Sequence, residues 1–313
     1  MPRVLVRRLL WSVPLVLVAT ALSFVLIALV PGDAARTILG PLGSSANEHA
    51  LRVQLGLDQP LVAQYGDWIS HALRGDLGAS LFTGQPVTTE LNQHLEVTLS
   101  LLILGTLTSA LIGVALGVAG AVRGGVIGRS VDVLSLAGLA IPSFWLALVL
   151  TAVFAVGLRL FPVVGYVSFA DSPLRWAQSL VLPVAALGLG SSTVIAKQTR
   201  DSLRHVLDQD FIRTLRANGF SGRSVLYRHA LRNAGIPVLT VIGVVFVSLI
   251  GGSVFVEQVF AMPGLGSQAV EATTQHNLPL IQGVVLYFTL LVVAVNLVTD
   301  LCYAALDPRV RTQ

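Results

Sequence analysis

Few residues in this sequence are of the types that carry out catalysis or hold metals, and none of them stands in a catalytic pattern. No H-E-x-x-H, no G-x-S-x-G and no closely spaced acidic pair occurs at the centre of an apolar run. We therefore interpret each histidine as a loop or interfacial residue, and we predict neither a catalytic residue nor a metal site. The histidines are His49, His71, His94, His205, His229 and His276.

The one lysine and the one cysteine of the chain exclude two further kinds of chemistry. An ATPase of the P-loop kind needs G-x-x-x-x-G-K-[ST], so that backbone amides and a lysine hold the phosphates. Lys197 lies in "SSTVIAKQTR", with neither the preceding glycine nor the following hydroxyl. Cys302 alone forms no intramolecular disulfide and no multi-cysteine metal site. We expect this chain to be no enzyme and to bind no cofactor itself.

The composition is typical of a membrane protein. Hydrophobic residues make up 54% of the 313 residues and charged residues only 12%, against roughly 45–50% and about 25% in soluble domains. Several spans of about 20 residues each would use most of the chain, so a large soluble domain does not fit. The basic pI near 9.7 does not indicate nucleic acid, because the cations are interleaved with apolar segments. We predict contact with membrane lipid and no nucleic acid partner.

Six apolar segments are each long enough to cross the hydrocarbon core of a bilayer. They are continuous rather than alternating, which favours helices over the strands of a membrane barrel. We therefore expect an all-α integral membrane protein with six transmembrane helices. The predicted spans are about 9–30, 97–122, 133–158, 179–199, 236–257 and 280–302.

The basic residues are distributed unevenly between the two sides of the predicted membrane. Short cytoplasmic loops retain Lys and Arg, whereas outer loops are depleted of them. Fifteen of the 20 cations lie on one side, so we predict that both termini and the loops near 123–130 and 200–235 are cytoplasmic and that segment 31–95 faces outward. The five outer cations are Arg36, Arg52, Arg74, Arg159 and Arg175.

The outer segment 31–95 has the pattern of a small helical structure rather than of an open loop. In "SSANEHALRVQLGLDQPLVAQYGDWISHALRGDLG", Ser45 or Asn47 could cap one short helix, and residues 64–73 carry the apolar spacing of another. A structureless loop of this length is unusual in a compact protein. Two uses stay open, namely a solvated spacer and a platform for an extracytoplasmic partner.

The cytoplasmic loop predicts a helix, a turn and a second helix. In "DQDFIRTLRANGFSG", Asp208 or Asp210 can cap the first helix, Gly219 provides a left-handed stop and Ser221 can cap the second helix. The first helix carries an apolar patch, Phe211, Ile212 and Leu215, and a basic flank, Arg213 and Arg216. Such an element could rest on anionic lipid, stay solvated or lie in the groove of another protein.

Two classes of transporter remain open at this point, namely a pore driven by a separate ATPase and an ion-coupled carrier or channel. Ion-coupled carriers usually keep ionisable groups near the bilayer midplane. Here Glu96, Asp132, Arg159, Glu257 and Asp300 all fall at predicted span ends. Candidate path or kink residues are Pro142, Pro183, Ser248, Gly251, Gly252 and Ser253, although helix packing explains them equally well.

Several segments together resemble one family of transport proteins. "RTLRANG", followed ten residues after Gly219 by "HALRNAGIPVLT", resembles the cytoplasmic EAA signature of ABC-importer permeases, in its dipeptide/oligopeptide form. "RRLLWSVPLVLVATALSFVLIALVPGD", "LGLDQPLVAQYGDWISHALRGDLGASL", "GGSVFVEQVFAMPGLG" and "NLVTDLCYAALDPRVR" resemble the same subfamily in order and spacing. The resemblance covers nearly the whole chain.

The resemblance assigns roles to the residues of the cytoplasmic loop. Arg213, Thr214 and Leu215 occupy the Glu-Ala-Ala positions, so the glutamate of the motif is absent. Arg232 stands where the broader family often has proline, and Asn277 where peptide permeases often carry aspartate. The implied ATPase-docking helix comprises Phe211, Ile212, Arg213, Thr214, Leu215, Arg216, Gly219 and Phe220, with Arg228, His229 and Arg232 supporting the loop.

The family implies a permease subunit of a type I ABC importer in a bacterial inner membrane, working by alternating access. Its partners would be a homologous second permease, two cytoplasmic ATPase domains that bind ATP and Mg²⁺, and an extracytoplasmic substrate-binding protein. The chain would divide into residues 1–95 with the first span and a helical insertion, a transmembrane domain at 96–304 and a tail at 305–313. Di- or oligopeptides are the favoured cargo, while glutathione, nickel chelates and haem stay open.

Overall fold

The computed structural model describes residues 2–30, 32, 34–40 and 44–306. Most of the predicted tail at 305–313 therefore lies outside the described residues. Helices dominate the described part, which also contains an isolated antiparallel bridge between Ala79 and Pro86. In chain order the helices are α1 (Pro2–Ala28), α2 (Ala34–Leu39), α3 (Ser45–Gln54), α4 (Leu61–Ala72), α5 (Val87–Arg123), α6 (Gly125–Ala140), α7 (Ser143–Leu150), α8 (Pro173–Leu207), α9 (Asp210–Ala217), α10 (Gly222–Ser224), α11 (Leu231–Val259), α12 (Leu265–Gln275) and α13 (Leu278–Leu306).

Five helical stretches in the described residues are long and apolar enough to cross a membrane. They confirm the predicted all-α membrane fold, although most extend several residues beyond the predicted boundaries. Polar residues at their ends continue the helix, because backbone hydrogen bonding does not stop where the apolar run stops. The five stretches are Leu10–Ala28, Val87–Arg123, Pro173–Leu207, Gly222–Val259 and Leu278–Tyr303.

The remaining predicted span, 133–158, is interrupted in the middle, at the proline that the sequence marks as a candidate kink residue. Helix α6 ends at Ala140, and α7 begins at Ser143 after Pro142 at its N-cap. Proline has no N–H to donate and biases the preceding residue away from helical geometry. Helix α7 then passes into a π-helical stretch, Thr151–Gly157, so the apolar helix after the break covers only Ser143–Gly157.

The segment predicted to lie outside the membrane is folded into short helices. Helix α3 begins after Ser44, whose hydroxyl accepts a hydrogen bond from the Asn47 N–H at 3.3 Å. The cap is therefore one residue earlier than Ser45, and Asn47 supplies the donor rather than the acceptor. Helix α4 contains most of the predicted apolar pattern and follows Pro60 at its N-cap.

The chain forms two compact units, and α5 and α13 contribute residues to both. Unit 1 comprises Met1–Thr98 and Pro263–Val293. Its buried core joins the turn before α5, the first turns of α5, α12 and the start of α13. The core residues are Leu77, Val87, Leu91, Leu265, Ala272, Leu280, Ile281 and Val284.

Unit 2 comprises Leu99–Met262 and Ala294–Gln313 and is built around α8. In the most apolar part of α8, 56% of the residues are buried, a larger share than in the other four long apolar stretches. Two serine hydroxyls tie neighbouring helices to it, because Ser109 donates to the Gly188 carbonyl at 3.0 Å and Ser135 to the Thr193 carbonyl at 2.9 Å.

Candidate coupling loop and transport cavity

The predicted cytoplasmic loop contains a short helix, α9, that begins differently from the prediction. Its N-cap is Gln209, which makes no side-chain capping hydrogen bond. Asp208 is the C-cap of α8, and Asp210 lies in the first turn of α9. Neither aspartate caps α9, although a carboxylate in the first turn still interacts favourably with the helix dipole.

The end of α9 follows the prediction closely. Gly219 has φ +79°, and its N–H donates to the Arg216 carbonyl at 3.0 Å. The Phe220 N–H donates to the Leu215 carbonyl at 3.2 Å. This pair of bonds is the Schellman arrangement that ends a helix with a left-handed glycine. A side chain at position 219 would be strained by this backbone conformation.

One face of α9 is fixed to unit 2. Ile212 is completely buried in a cluster formed with the end of α8 and the residues that lead into α11. Ile212 therefore anchors α9 from the buried side of the helix, and the docking role predicted for the helix would fall to its other side chains. The cluster comprises Leu203, Val206, Ile212, Val225, Ala230 and Ala234.

The other face of α9 is exposed, and this face and the residues that follow the helix carry aromatic and basic side chains. Phe211 is 38% exposed and Phe220 46%. The Phe220 ring meets the His229 ring edge to face, with centroids 5.7 Å apart, so His229 positions this aromatic side chain. The remaining exposed residues predicted for the loop are Arg213, Thr214, Arg216, Arg228 and Arg232, while Leu215 is half-buried.

Unit 2 also contains a cavity of about 520 Å³ at the helix break. Its walls are the junction of α6 and α7, the middle of α8 and the middle of α11. Four of the six predicted path or kink residues line it, namely Pro142, Ser248, Gly251 and Gly252. Pro183 and Ser253 do not, because both are buried within their own helices.

The wall of this cavity is neutral. Its residues are apolar side chains, glycines and three serines, Ser143, Ser191 and Ser248. Gly252 allows α7 to approach α11, since a Cβ added there would lie 3.4 Å from the Ser143 Oγ. Sequence patterns gave no signal for Ser143 or Ser191, because only the folded chain brings them to one surface.

The fold is similar to that of a chain in a solved transporter structure. The structure entitled "Inward facing conformations of the MetNI methionine ABC transporter" aligns with 70% of this chain and 97% of that chain. The TM-score is 0.57 and the sequence identity 19%. A second crystal form of MetNI aligns with a TM-score of 0.54. These similarities establish that this chain shares the helical fold of the aligned MetNI chain.

Most of the sequence matches one described family of transport proteins. Residues 109–312 match the family described as "Binding-protein-dependent transport system inner membrane component", and residues 1–102 match its N-terminal component. The chain belongs to this family of transport permeases. It is therefore a multi-pass inner-membrane permease subunit of a binding-protein-dependent ABC importer, which implies a binding protein and an ATPase as partners.

Curated relatives match over almost the full length. A protein of Brucella abortus (strain 2308) named as a peptide transport system permease is 43% identical over 312 residues, which cover 99% of each chain. A protein of Sinorhizobium fredii named as a peptide ABC transporter permease is 40% identical over 98% of each chain. The glutathione transport system permease protein GsiC of Salmonella typhimurium is 41% identical over 97% of each chain.

Proposed function

We propose that this chain forms part of the membrane path of an importer for short peptides. The observation that carries the proposal is the 43% identity to a peptide transport permease over 99% of both chains. The glutathione permease relative, at 41% identity, supports the same cargo class, since glutathione is a tripeptide. A homologous second permease would complete the path, and two ATPase domains would bind all of the ATP and Mg²⁺.

In this proposal the exposed face of α9 docks into a groove of an ATPase domain. An amphipathic helix with aromatic and basic side chains suits such a groove. Ile212 holds α9 to the end of α8 and to the start of α11. A displacement of α9 would therefore move α8 and α11, two of the helices that line the cavity, which is the coupling that alternating access needs.

The proposed orientation follows from the basic residues. Both termini and the loop 200–235 would be cytoplasmic, and the helical segment 31–95 would face the binding protein outside. The transport domain would be residues 96–304. The cavity at the helix break would be the part of the path that this subunit supplies.

Reconstitution tests the proposal. We would purify the chain with its second permease and ATPases, place the complex in proteoliposomes and add the binding protein loaded with labelled peptide. ATP-dependent peptide uptake that requires the binding protein is expected. Uptake by this chain alone under an ion gradient would contradict the proposal and favour a secondary transporter or channel. Competition among dipeptides, longer peptides and glutathione then ranks the cargo.

A second experiment tests the docking role of α9. Phe211→Ala should weaken binding of the ATPase subunit to the purified complex by roughly tenfold, because exposed aromatic side chains are common anchors of interfaces. Tyr227→Ala is the matched control, since Tyr227 is also an exposed aromatic residue, at 61%, but lies outside α9. Equal loss of ATPase binding in the two variants would contradict the docking role of α9.

A further inference from the structure

Three serine hydroxyls in the cavity wall make no hydrogen bond within the described protein. Ser143 of α7 and Ser191 of α8 are half-buried, and Ser248 of α11 is exposed to the cavity. The three hydroxyls come from three of the helices that line the space, namely α7, α8 and α11. Since these are the polar side chains of a neutral wall, they are the groups that a polar ligand would meet.

Neighbouring hydroxyls in the same parts of the chain differ, because they donate hydrogen bonds to backbone carbonyls. Ser192, next to Ser191, donates to the Leu189 carbonyl at 2.7 Å. Ser253 of α11 donates to the Ile250 carbonyl at 2.9 Å, and Thr151, just after α7, donates to the Ala147 carbonyl at 2.8 Å. Serine and threonine in apolar helices usually satisfy themselves in this way. The three cavity hydroxyls do not, so their hydrogen-bonding capacity is available for a ligand.

We infer that Ser143, Ser191 and Ser248 bind the main chain of the peptide cargo during translocation, an inference that rests on the proposed function. A hydroxyl both donates and accepts, so it pairs with the C=O as well as with the N–H of a peptide group. Every peptide presents these groups, whatever its side chains are. A cation or an anion in the wall would instead select cargo by charge, and the lining contains neither.

The surrounding geometry keeps the hydroxyls in the cavity. The break at Pro142 ends α6 and places Ser143 at the first position of α7, where no preceding turn of α7 supplies a carbonyl acceptor. Gly252 leaves space beside the Ser143 Oγ. Phe144 and Phe255 contact one another with centroids 6.0 Å apart and supply an apolar surface that tolerates varied cargo side chains.

The test compares two triple variants in the reconstituted complex at a saturating concentration of the loaded binding protein. Ser143→Ala, Ser191→Ala and Ser248→Ala together remove the free hydroxyls. Thr151→Ala, Ser192→Ala and Ser253→Ala together remove the paired hydroxyls of the same stretches. We expect about tenfold slower peptide uptake for the first variant and near wild-type uptake for the second, with ATPase activity retained in both, because each lost hydrogen bond costs a few-fold.

A second measurement separates cargo binding from a structural role. Uptake of a tripeptide and of the same tripeptide with N-methylated amides is measured in both the wild type and the first variant. The wild type should prefer the unmethylated cargo, and the preference should shrink in the variant, as expected when the two changes remove one interaction. An undiminished preference, or wild-type uptake by the variant, overturns the inference. Absence of any peptide uptake by the wild-type complex would instead refute the proposed function.

Discussion

Asn277 donates a hydrogen bond through its Nδ2 to the Ser80 hydroxyl at 2.8 Å, and both residues are buried in unit 1. The Asn277 Oδ1 accepts from the Leu81 N–H at 3.2 Å, and the Asn277 N–H donates to the Ala272 carbonyl at 2.8 Å. One side chain thus fixes the junction of α12 and α13 to the turn that precedes α5. Asn277 is therefore a structural residue of unit 1, which links these elements through its side chain.

Replacing Asn277 with leucine should lower the stability of the protein. The Leu81 N–H and the Ser80 hydroxyl would lose a partner in a buried place, which costs about 1–3 kcal/mol. Asn277→Asp should cost less, because the Ser80 hydroxyl can rotate and donate to the carboxylate. Thermal unfolding of the purified protein in detergent measures both. Asn233→Leu, on the exposed face of α11, is the control. An equal loss of stability in that variant would contradict the structural role of Asn277.

The ion pair between Arg200 of α8 and Asp132 of α6 should contribute more to the stability of unit 2 than the other charges near it. The Arg200 side chain is only 9% exposed, and Asp201 lies 3.8 Å from it. Asp132→Asn leaves a buried guanidinium poorly paired and should destabilise unit 2 by about 1–3 kcal/mol. Lys197→Met removes a 52% exposed cation from the same cluster and should cost under about 1 kcal/mol. Equal shifts in the unfolding temperature would contradict this ranking.

Substitution of Gly219 should uncouple ATP hydrolysis from transport. A β-branched side chain is strained at φ +79°, so Gly219→Val should distort the end of α9 and the position of Phe220. Gly219→Asn should be tolerated better, because asparagine adopts this conformation more readily. Gly222→Val is the control, since Gly222 has no positive φ and no atom within 4 Å of an added Cβ.

The readout for Gly219 is the amount of peptide transported per ATP hydrolysed in proteoliposomes. We expect the ratio to fall several-fold for Gly219→Val, with membrane insertion and complex assembly intact. A normal ratio for Gly219→Val, or the same loss for Gly222→Val, would show that the helix stop does not transmit the motion.

The sequence alone predicted those features that depend on local chemistry. Long apolar runs identified the membrane helices, and the spacing around Gly219 identified the end of α9, because both signals lie within a few neighbouring residues. For Pro142 the sequence predicts only a candidate kink, since a proline can either bend a helix or end it. Which of the two happens depends on the helices packed around it.

Features that depend on tertiary structure were not predictable. On a helical wheel, Ile212 falls on the apolar side of α9. Only the fold shows that other residues of unit 2 cover this side. The free hydroxyls of Ser143 and Ser191 have no sequence signature. The same holds for Asn277, whose partners Ser80 and Leu81 lie almost 200 residues away.

Packing of α5 against α8 depends on two glycines, Gly113 and Gly117, whose spacing of four is typical of close helix pairs in membranes. A Cβ at position 117 would lie 2.5 Å from the Thr199 Cβ. Gly117→Ala should therefore force the helices apart and cost about 1–3 kcal/mol. Gly66→Ala in α4, where an added Cβ meets nothing within 4 Å, should be neutral or stabilising. Equal unfolding temperatures for the two variants would contradict the packing role.

The proposed orientation in the membrane can be tested with cysteine labelling, because Cys302 is the only native cysteine. In a Cys302→Ser background, Asp58→Cys marks the loop between α3 and α4, and Arg213→Cys marks the exposed face of α9. The positive-inside bias of the loops predicts that Asp58→Cys is outside and Arg213→Cys is in the cytoplasm. A membrane-impermeant maleimide should label Asp58→Cys in intact spheroplasts and Arg213→Cys only in inverted vesicles. The reverse labelling pattern would show that the protein has the opposite orientation in the membrane. In that orientation α9 could not contact a cytoplasmic ATPase.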